Sequence, residues 1–315
     1  MAAMWATFAW RATELAPDVV HAHDLAMLVP ALLSARIVGA SVVYDSHELA
    51  QSVPYRSAAA GRAVRVLERA LIPRCEAVVT VSDGIADALA TSYGLSQRPL
   101  VVRNLPDQAP PAAPTGRLRR RIGLAADVPL VLHQGTAGPD RGCEALVRSA
   151  ATLPAVHVAF LGTGEPGYEE RLLAIARAAG VEERIHLVEN VSLRELLQYT
   201  ADADVGVSLL EDTCENHRLA LPNKVFEYLV AGVPVLVSRL PEMARLVSSL
   251  DAGWMVDPGS ERKLAAALAQ AVDEAPAVRP RAEAAGARLR WSREEQQLTD
   301  LYARLAESRS ASGAN

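Results

Sequence analysis

Leu221-Pro222-Asn223-Lys224-Val225-Phe226-Glu227-Tyr228-Leu229-Val230-Ala231-Gly232-Val233-Pro234-Val235 holds a helix and the start of the strand that follows it. Pro222 suits the first helical position, where its missing N–H removes no hydrogen bond. Gly232 and Pro234 stop the helix, and VPVLVS, residues 233–238, reads as a buried strand. Unpaired N–H groups at that helix start, with the Lys224 ammonium beside them, would hold an anion. Glu227 lies one turn further on, within reach of the hydroxyls of a sugar attached to such an anion. A core helix with Glu227 merely facing solvent fits the same spacing, and this stretch alone leaves both open.

Outward from this stretch the same alternation repeats, which is the pattern of β-α units on a parallel sheet. Val-rich runs at 129–134, 156–161, 185–189, 205–210, 233–238 and, more weakly, 254–256 predict six strands. Six strands with helices between them make a full doubly wound domain, whose ligands sit outside the carboxyl ends of the strands. Upstream, 18–23, 41–45, 77–82 and 100–104 predict four more strands. PDQAPPAAP, residues 106–114, admits neither helix nor strand and predicts the linker between two domains. From Trp291 to Leu305 the apolar residues Leu298, Leu301, Tyr302 and Leu305 recur at helical spacing, predicting a closing helix with one buried stripe.

Composition narrows the function. The chain has 315 residues, and its 37 acids against 32 Lys and Arg give a net charge of −5. It therefore carries no overall cationic field of the kind that draws nucleic acid. Aromatic residues make up only 4%, so the core must be aliphatic. Cys75, Cys143 and Cys214 are far apart and form no C-x-x-C pair, which suits a reducing cytosol. Arg11 and Glu14 interrupt the apolar opening, which reads as an amphipathic helix, and no run is long enough to span a bilayer.

The remaining motifs have competing readings. His133 to Gly142, HQGTAGPDRG, follows the first strand of the second domain, where backbone N–H groups and Arg141 could meet a phosphate; an ordinary strand-to-helix loop is equally consistent. Gly162 to Gly167 matches G-x-G-x-x-G, with Glu189 closing the next strand as a ribose-binding acid would. Pro166 inside it, and its place after the second strand of the domain, weigh against a dinucleotide. Asp202 and Asp204 form a D-x-D pair that more often marks plain turn acids than a metal clamp. His23 and Asp24 end one strand and His47 and Glu48 end another, so both pairs lie at the carboxyl edge of the sheet, as a site would. Arg62, Arg65 and Arg69 share a helical face that could rest on anionic lipid or simply be solvated.

Taken in order, DVVHAHD, VVYDSHE, VTVSDGI, VVRNLPD, HQGTAGPDRG, LGTGEPG, LPNKVFEYLVAGVPVLVS and LPEM resemble the retaining family 4 glycosyltransferases of GT-B architecture. The resemblance runs from about Asp18 to the last helix. It implies an α/β protein of two Rossmann-like doubly wound domains facing a cleft, the N-terminal one incomplete. It divides the chain into 1–106 on the acceptor side, 107–128 as linker and entry segment, 129–282 for the nucleotide sugar, 283–307 as a helix crossing back, and 308–315 as a disordered tail. It implies sugar transfer from a nucleotide-diphosphate sugar to a hydroxyl of a glycan or lipid-linked acceptor, with retention and no obligatory metal or other cofactor. Cell-surface polysaccharide or glycolipid synthesis in the cytoplasm, peripheral to the inner membrane face, is the setting it suggests. By position, His47, Arg141 and Lys224 take catalytic roles. His23, Asp24, Glu48, Gly135, Thr136, Pro222, Asn223 and Glu227 take substrate-binding ones, with Glu227 on the donor ribose.

Three departures stand out. Leu219 occupies the place of the first acid of the family's E-x7-E pattern, so Glu215 is the expected substitute; Thr136 replaces a common arginine. The strands and glycine-rich acceptor loop that the family places before DVVHAHD have no counterpart here, so a shortened descendant of a full enzyme is expected. A nucleotide-sugar epimerase on the same scaffold, or an inactive nucleotide-sugar-binding remnant, stays open beside the transferase.

Overall fold

The computed structural model describes residues 2–54, 57–257 and 259–313. Its contacts divide the chain into two compact units: Met1–Asn104 with Cys214–Ala220 and Ser292–Asn315, and Leu105–Thr213 with Leu221–Trp291. The expected linker and entry segment, 107–128, is thus part of unit 2, while 214–220 returns to unit 1.

Unit 1 begins with helix α1 (Ala2–Leu15), then runs β1 (Val19–His23), α2 (Asp24–Val38), β2 (Ser41–Ser46), α3 (Ala58–Leu71), β3 (Ala77–Thr80), α4 (Asp83–Tyr93) and β4 (Leu100–Val101). The four strands are parallel in the order β1-β2-β3-β4. Val20 and Ala22 of β1, Val42 and Tyr44 of β2 and Ile85 and Leu89 of α4 are buried in one aliphatic core. The register sets His23 against Asp45. On α3 the side chains of Arg62, Arg65 and Arg69 are all exposed, as a solvated face would be. Arg65 donates to Gln51 Oε1 (2.7 Å), and Glu68 is buried, accepting the hydroxyls of Tyr44 (2.7 Å) and Tyr93 (2.5 Å). Among the described residues no helix is long and apolar enough to cross a membrane.

Unit 2 continues with α5 (Arg117–Arg121), β5 (Leu130–Gln134), α6 (Cys143–Ser149), β6 (His157–Leu161), α7 (Tyr168–Ala178), β7 (Ile185–Val188), α8 (Leu193–Thr200) and β8 (Val205–Ser208). The short α9 (Glu215–Leu219) belongs to unit 1. Unit 2 then resumes with α10 (Asn223–Val230), β9 (Val235–Ser238), α11 (Pro241–Leu250), β10 (Gly253–Val256) and α12 (Glu261–Arg288). Its parallel strands lie in the order β10-β9-β8-β5-β6-β7. The order reverses between β5 and β8, so the crevice at their carboxyl ends is where a doubly wound sheet receives ligands.

The last two helices differ from the expected divisions. The boundary at 282 falls inside α12, which continues through Pro276 and Pro280. Proline inside a helix costs about 3 kcal/mol, but Ala275, Val278, Ala282 and Ala285 are buried, and Arg279 donates to the carbonyls of Gly232 and Ala203. Packing outweighs the local cost. The chain turns at 289–290 into α13 (Trp291–Gly313), which groups with unit 1. The predicted tail at 308–315 is helical to Gly313, and residues 314–315 lie outside the described residues.

Candidate functional site

At the switch point of unit 2 the loop after β5 and the first turn of α10 line one cavity of about 350 Å3. Gly135, Thr136, Arg141, Pro222, Asn223, Lys224 and Glu227, all singled out in the sequence, come together there. The loop's path depends on a close approach of two glycines. Gly135 N–H donates to Leu161 O (2.8 Å), and a Cβ on Gly162 would lie 2.8 Å from Gly135 O. Here G-x-G-x-x-G lets one loop pack on the other. Glu189, the expected ribose acid of the dinucleotide reading, is 88% exposed in its side chain and pairs loosely with Arg121 (3.6 Å).

Pro222 is the N-cap of α10 with extended backbone, not its first helical residue, so α10 begins at Asn223 and turns the N–H groups of Asn223 and Lys224 outward, while Val225 N–H donates to Pro222 O (3.0 Å). The partner across the cavity is the loop 135–141; Cys143, which opens α6, is buried. Val225, Phe226, Tyr228 and Leu229 face the core, which leaves Lys224 and Glu227, one turn apart, on the cavity side.

The electrostatics at this point are unusual. Burial and the nearby Arg141 guanidinium hold Lys224 down to about 8. The Lys224 ammonium lies 3.3 Å from Nε2 of buried His133, whose own pKa is pushed well below its ordinary value by burial and by Lys224. His133 is therefore neutral, with Nε2 facing both the lysine and the Thr136 carbonyl (3.5 Å). Burial raises the Glu227 carboxyl, partly offset by Gln134 and Lys224. Gln134 Nε2 donates to Glu227 while Gln134 Oε1 accepts from Thr200 (2.6 Å), so the carboxylate is aimed by a buried amide. His133, Gln134 and Thr200 are positioning residues the sequence reading missed. The available signal was a polar pair, His133-Gln134, ending an otherwise apolar central strand.

Asp202 and Asp204 do not form a metal pair. Asp202 accepts the N–H groups of Gly116 (2.6 Å) and Leu118 (2.7 Å), and Asp204 accepts from Arg119 (2.8 Å) and Leu130 N–H (2.7 Å). Their oxygens tie α5 and β5 in place.

In unit 1 the residues expected at two strand ends also come together, although Asp24 opens α2 and His47 and Glu48 lie just past β2. Nε2 of His21 and of His47 and Nδ1 of His23 lie 3.1, 3.4 and 3.4 Å from the same oxygen of Asp45. Burial pushes the Asp45 carboxyl up, but hydrogen bonds from His21 and His47 outweigh it and hold the group well below its usual range. The Asp45 hydrogen bond raises His47; burial and His21 lower His23. Asp24, in the left-handed region at φ 59°, accepts the His47 N–H (3.1 Å) and so braces the loop that carries it. Glu48 is exposed and lends its carbonyl to Ser46. Glu215 opens α9, and its N–H donates to Ser52 Oγ (3.2 Å). Leu219 packs on the unit 1 core and its carbonyl accepts from Ser82. A larger cavity of about 730 Å3, lined by Arg98, Arg103 and Arg304, lies elsewhere in unit 1 and contains none of these residues.

Comparison with known proteins agrees with this division. Residues 1–105 match the family described as Glycosyltransferase Family 4, and residues 129–274 match Glycosyl transferases group 1. The chain is 27% identical over 280 residues to a glycogen synthase of Mycobacterium tuberculosis, covering 87% of the chain but only 64% of that protein's length. It is 27% identical over 313 residues to a D-inositol 3-phosphate glycosyltransferase of Xylanimonas cellulosilytica, covering 93% and 73%. Anabaena HepE in complex with UDP-glucose superposes with a TM-score of 0.78 at 21% identity, covering 98% of the chain and 82% of HepE. Each of the two parts of the chain is thus similar to a glycosyltransferase family, and the fold of two parallel-sheet α/β domains matches GT-B structures.

Proposed function

We propose that the protein transfers a hexose from a nucleotide-diphosphate sugar to a hydroxyl of a glycan or lipid-linked acceptor, with retention at the anomeric carbon. The observation that carries this reading is the cavity in which two cations, Lys224 and Arg141, stand together beside a glycine loop and an aimed carboxylate. Like charges placed together repel, and a diphosphate between them would turn that repulsion into attraction. The leaving diphosphate gains negative charge as the glycosidic bond breaks, so Arg141, Lys224 and the N–H groups at Asn223 and in the 135–141 loop would favour the transition state over the ground state. These groups supply the neutralisation that a divalent ion would otherwise give, so no metal is assigned to this step. Gly135, Thr136 and Pro222 shape the phosphate pocket, Glu227 takes the ribose hydroxyls, and His47 is assigned to the transferred sugar. His23, Asp24 and Glu48 are assigned to the acceptor side.

HepE in complex with UDP-glucose makes a uridine donor the first to test. A panel of nucleotide sugars is expected to raise the midpoint of thermal unfolding in proportion to affinity, because only the folded state binds. Glu227→Ala should weaken donor binding about tenfold or more, the scale of one lost charge-assisted hydrogen-bond set, as read by calorimetry. Wild-type affinity in that variant would remove the ribose assignment.

The pH dependence has a definite sign. With Lys224 depressed to about 8, the ammonium is fully present below that pH and lost above it in the free protein. Binding a diphosphate above pH 8 then requires proton uptake, so donor affinity should be flat on the acid side and fall by up to about tenfold per pH unit on the alkaline side. Lys224→Arg, whose charge persists, should flatten the profile. A flat wild-type profile would mean that Lys224 does not meet the phosphate.

Donor binding without transfer is the second reading, favoured by Leu219 standing where the resemblance places a carboxylate. Calorimetric binding with no product from any acceptor would select it.

A further inference from the structure

We propose that the carboxyl edge of β1 and β2 is a binding site for a divalent transition-metal ion, with His23 Nδ1, Asp45 Oδ2 and His47 Nε2 as its three protein ligands. Strand periodicity and the turn after β2 build the group: His21 and His23 lie two apart on β1, Asp45 of β2 stands opposite His23, and His47, just past the end of β2, comes within 3.4 Å of Asp45 and 2.9 Å of His23.

The spacing fits an ion better than it fits a set of hydrogen bonds. A tetrahedral ion bound at about 2.0–2.1 Å holds its ligand atoms roughly 3.3 Å apart. The three pairs here measure 3.4 Å (His23 to Asp45), 3.4 Å (His47 to Asp45) and 2.9 Å (His23 to His47). With His21 included, three imidazole nitrogens converge on one carboxylate oxygen, which has only about two lone pairs to offer. The His23 and His47 nitrogens also face each other, and one of them must then present a lone pair. A metal accepts all three lone pairs at once.

The surroundings supply the orienting contacts such sites use. His21 bridges Asp45 Oδ2 (3.1 Å) and the Tyr302 hydroxyl (2.5 Å), which fixes the carboxylate. Asp24 holds the backbone of His47. His23 is 63% exposed in its side chain, which leaves an entry path and a position for water as fourth ligand. Two imidazoles and one carboxylate suit Zn2+ and Co2+ rather than Mg2+ or Ca2+. The site lies wholly in unit 1 and does not depend on the transferase reading. If that reading also holds, ion binding and the assigned use of His47 exclude each other, and the ion would act as an inhibitor.

The test uses the untagged full chain and CoCl2 or ZnCl2 alone. Wild-type protein should bind one equivalent of Co2+ with the intense visible absorption of a four-coordinate ion, and Zn2+ should displace it. His23→Ala, an exposed position whose change leaves the core intact, should weaken Co2+ binding by at least tenfold to a hundredfold. Asp45→Asn should do the same. No visible band in the wild type, or equal binding by wild type and His23→Ala, would overturn the proposal and leave the group as a hydrogen-bonded cluster.

Discussion

Lys224→Met is expected to lower the turnover of sugar transfer by about a hundredfold to a thousandfold, the range seen when one preorganised group facing developing negative charge is removed. Methionine keeps most of the apolar stem that fills the space over Gly135, whose built Cβ would lie 4.0 Å from the lysine's Cε and Nζ. The change therefore isolates the charge. Arg141→Met should act in the same direction. The double variant should lose less than the product of the two, because each cation raises the electrostatic cost of the other before the diphosphate arrives. The KM for donor should move less than kcat, since the charge matters most while the leaving group is departing. Steady-state kinetics with a uridine diphosphate sugar would read this out. Wild-type kcat in both single variants would sink the phosphate assignment, whatever the affinity for donor.

Gly206→Ala is expected to destabilise unit 2 by roughly 2–5 kcal/mol, combining overpacking with the loss of a buried hydrogen-bond partner. A Cβ at Gly206 would fall 2.3–2.6 Å from three ring atoms of Tyr228, which is fully buried. That ring stands where β5 and β8 separate: the register pairs His133 with Val207 and goes no further. Beyond it, Gln134 N–H donates to the Tyr228 hydroxyl (2.8 Å), which in turn donates to Leu132 O (2.9 Å). Displacing the ring leaves a buried donor unpaired and releases the strand end that aims Gln134 at Glu227. Tyr228→Phe, which keeps the ring and removes only the hydroxyl, should cost about 1–3 kcal/mol. Urea unfolding followed by near-ultraviolet circular dichroism would separate the two variants, and both should weaken donor binding as well. If Gly206→Ala unfolds at the wild-type urea concentration, the close approach of α10 to β8 is not a constraint.

Much of the fold was legible because its cues are local. All ten predicted strands are present, and the helices between them follow hydrophobic period and breaker residues. The departure lies where tertiary contacts overrule local cost: α12 runs past the expected boundary at 282 and through two prolines because its alanine face is buried. For the donor pocket, the residue types and their order on two loops were visible, as was the resemblance that joined them. The aiming of Glu227 by Gln134 and Thr200 was not, since it joins positions 134, 200 and 227 through side-chain amide geometry.

By itself the sequence determined the class of layers, the alternation of strands and helices, the absence of a nucleic-acid-attracting charge, and the chemical types brought to the strand ends. Each follows from periodicity of two or 3.6 residues and from what individual side chains can donate, accept or neutralise. Only the tertiary structure decided which of those strand ends meet: that β5 lies beside β8, that Lys224 sits against His133 in the cavity Arg141 also lines, and that two histidines of β1 and one just past β2 converge on Asp45. The reason is that a lysine's pKa, a carboxylate's aim and a metal's ligand set depend on distances between residues far apart in the chain. Those distances are fixed by strand order and packing, which no local pattern encodes.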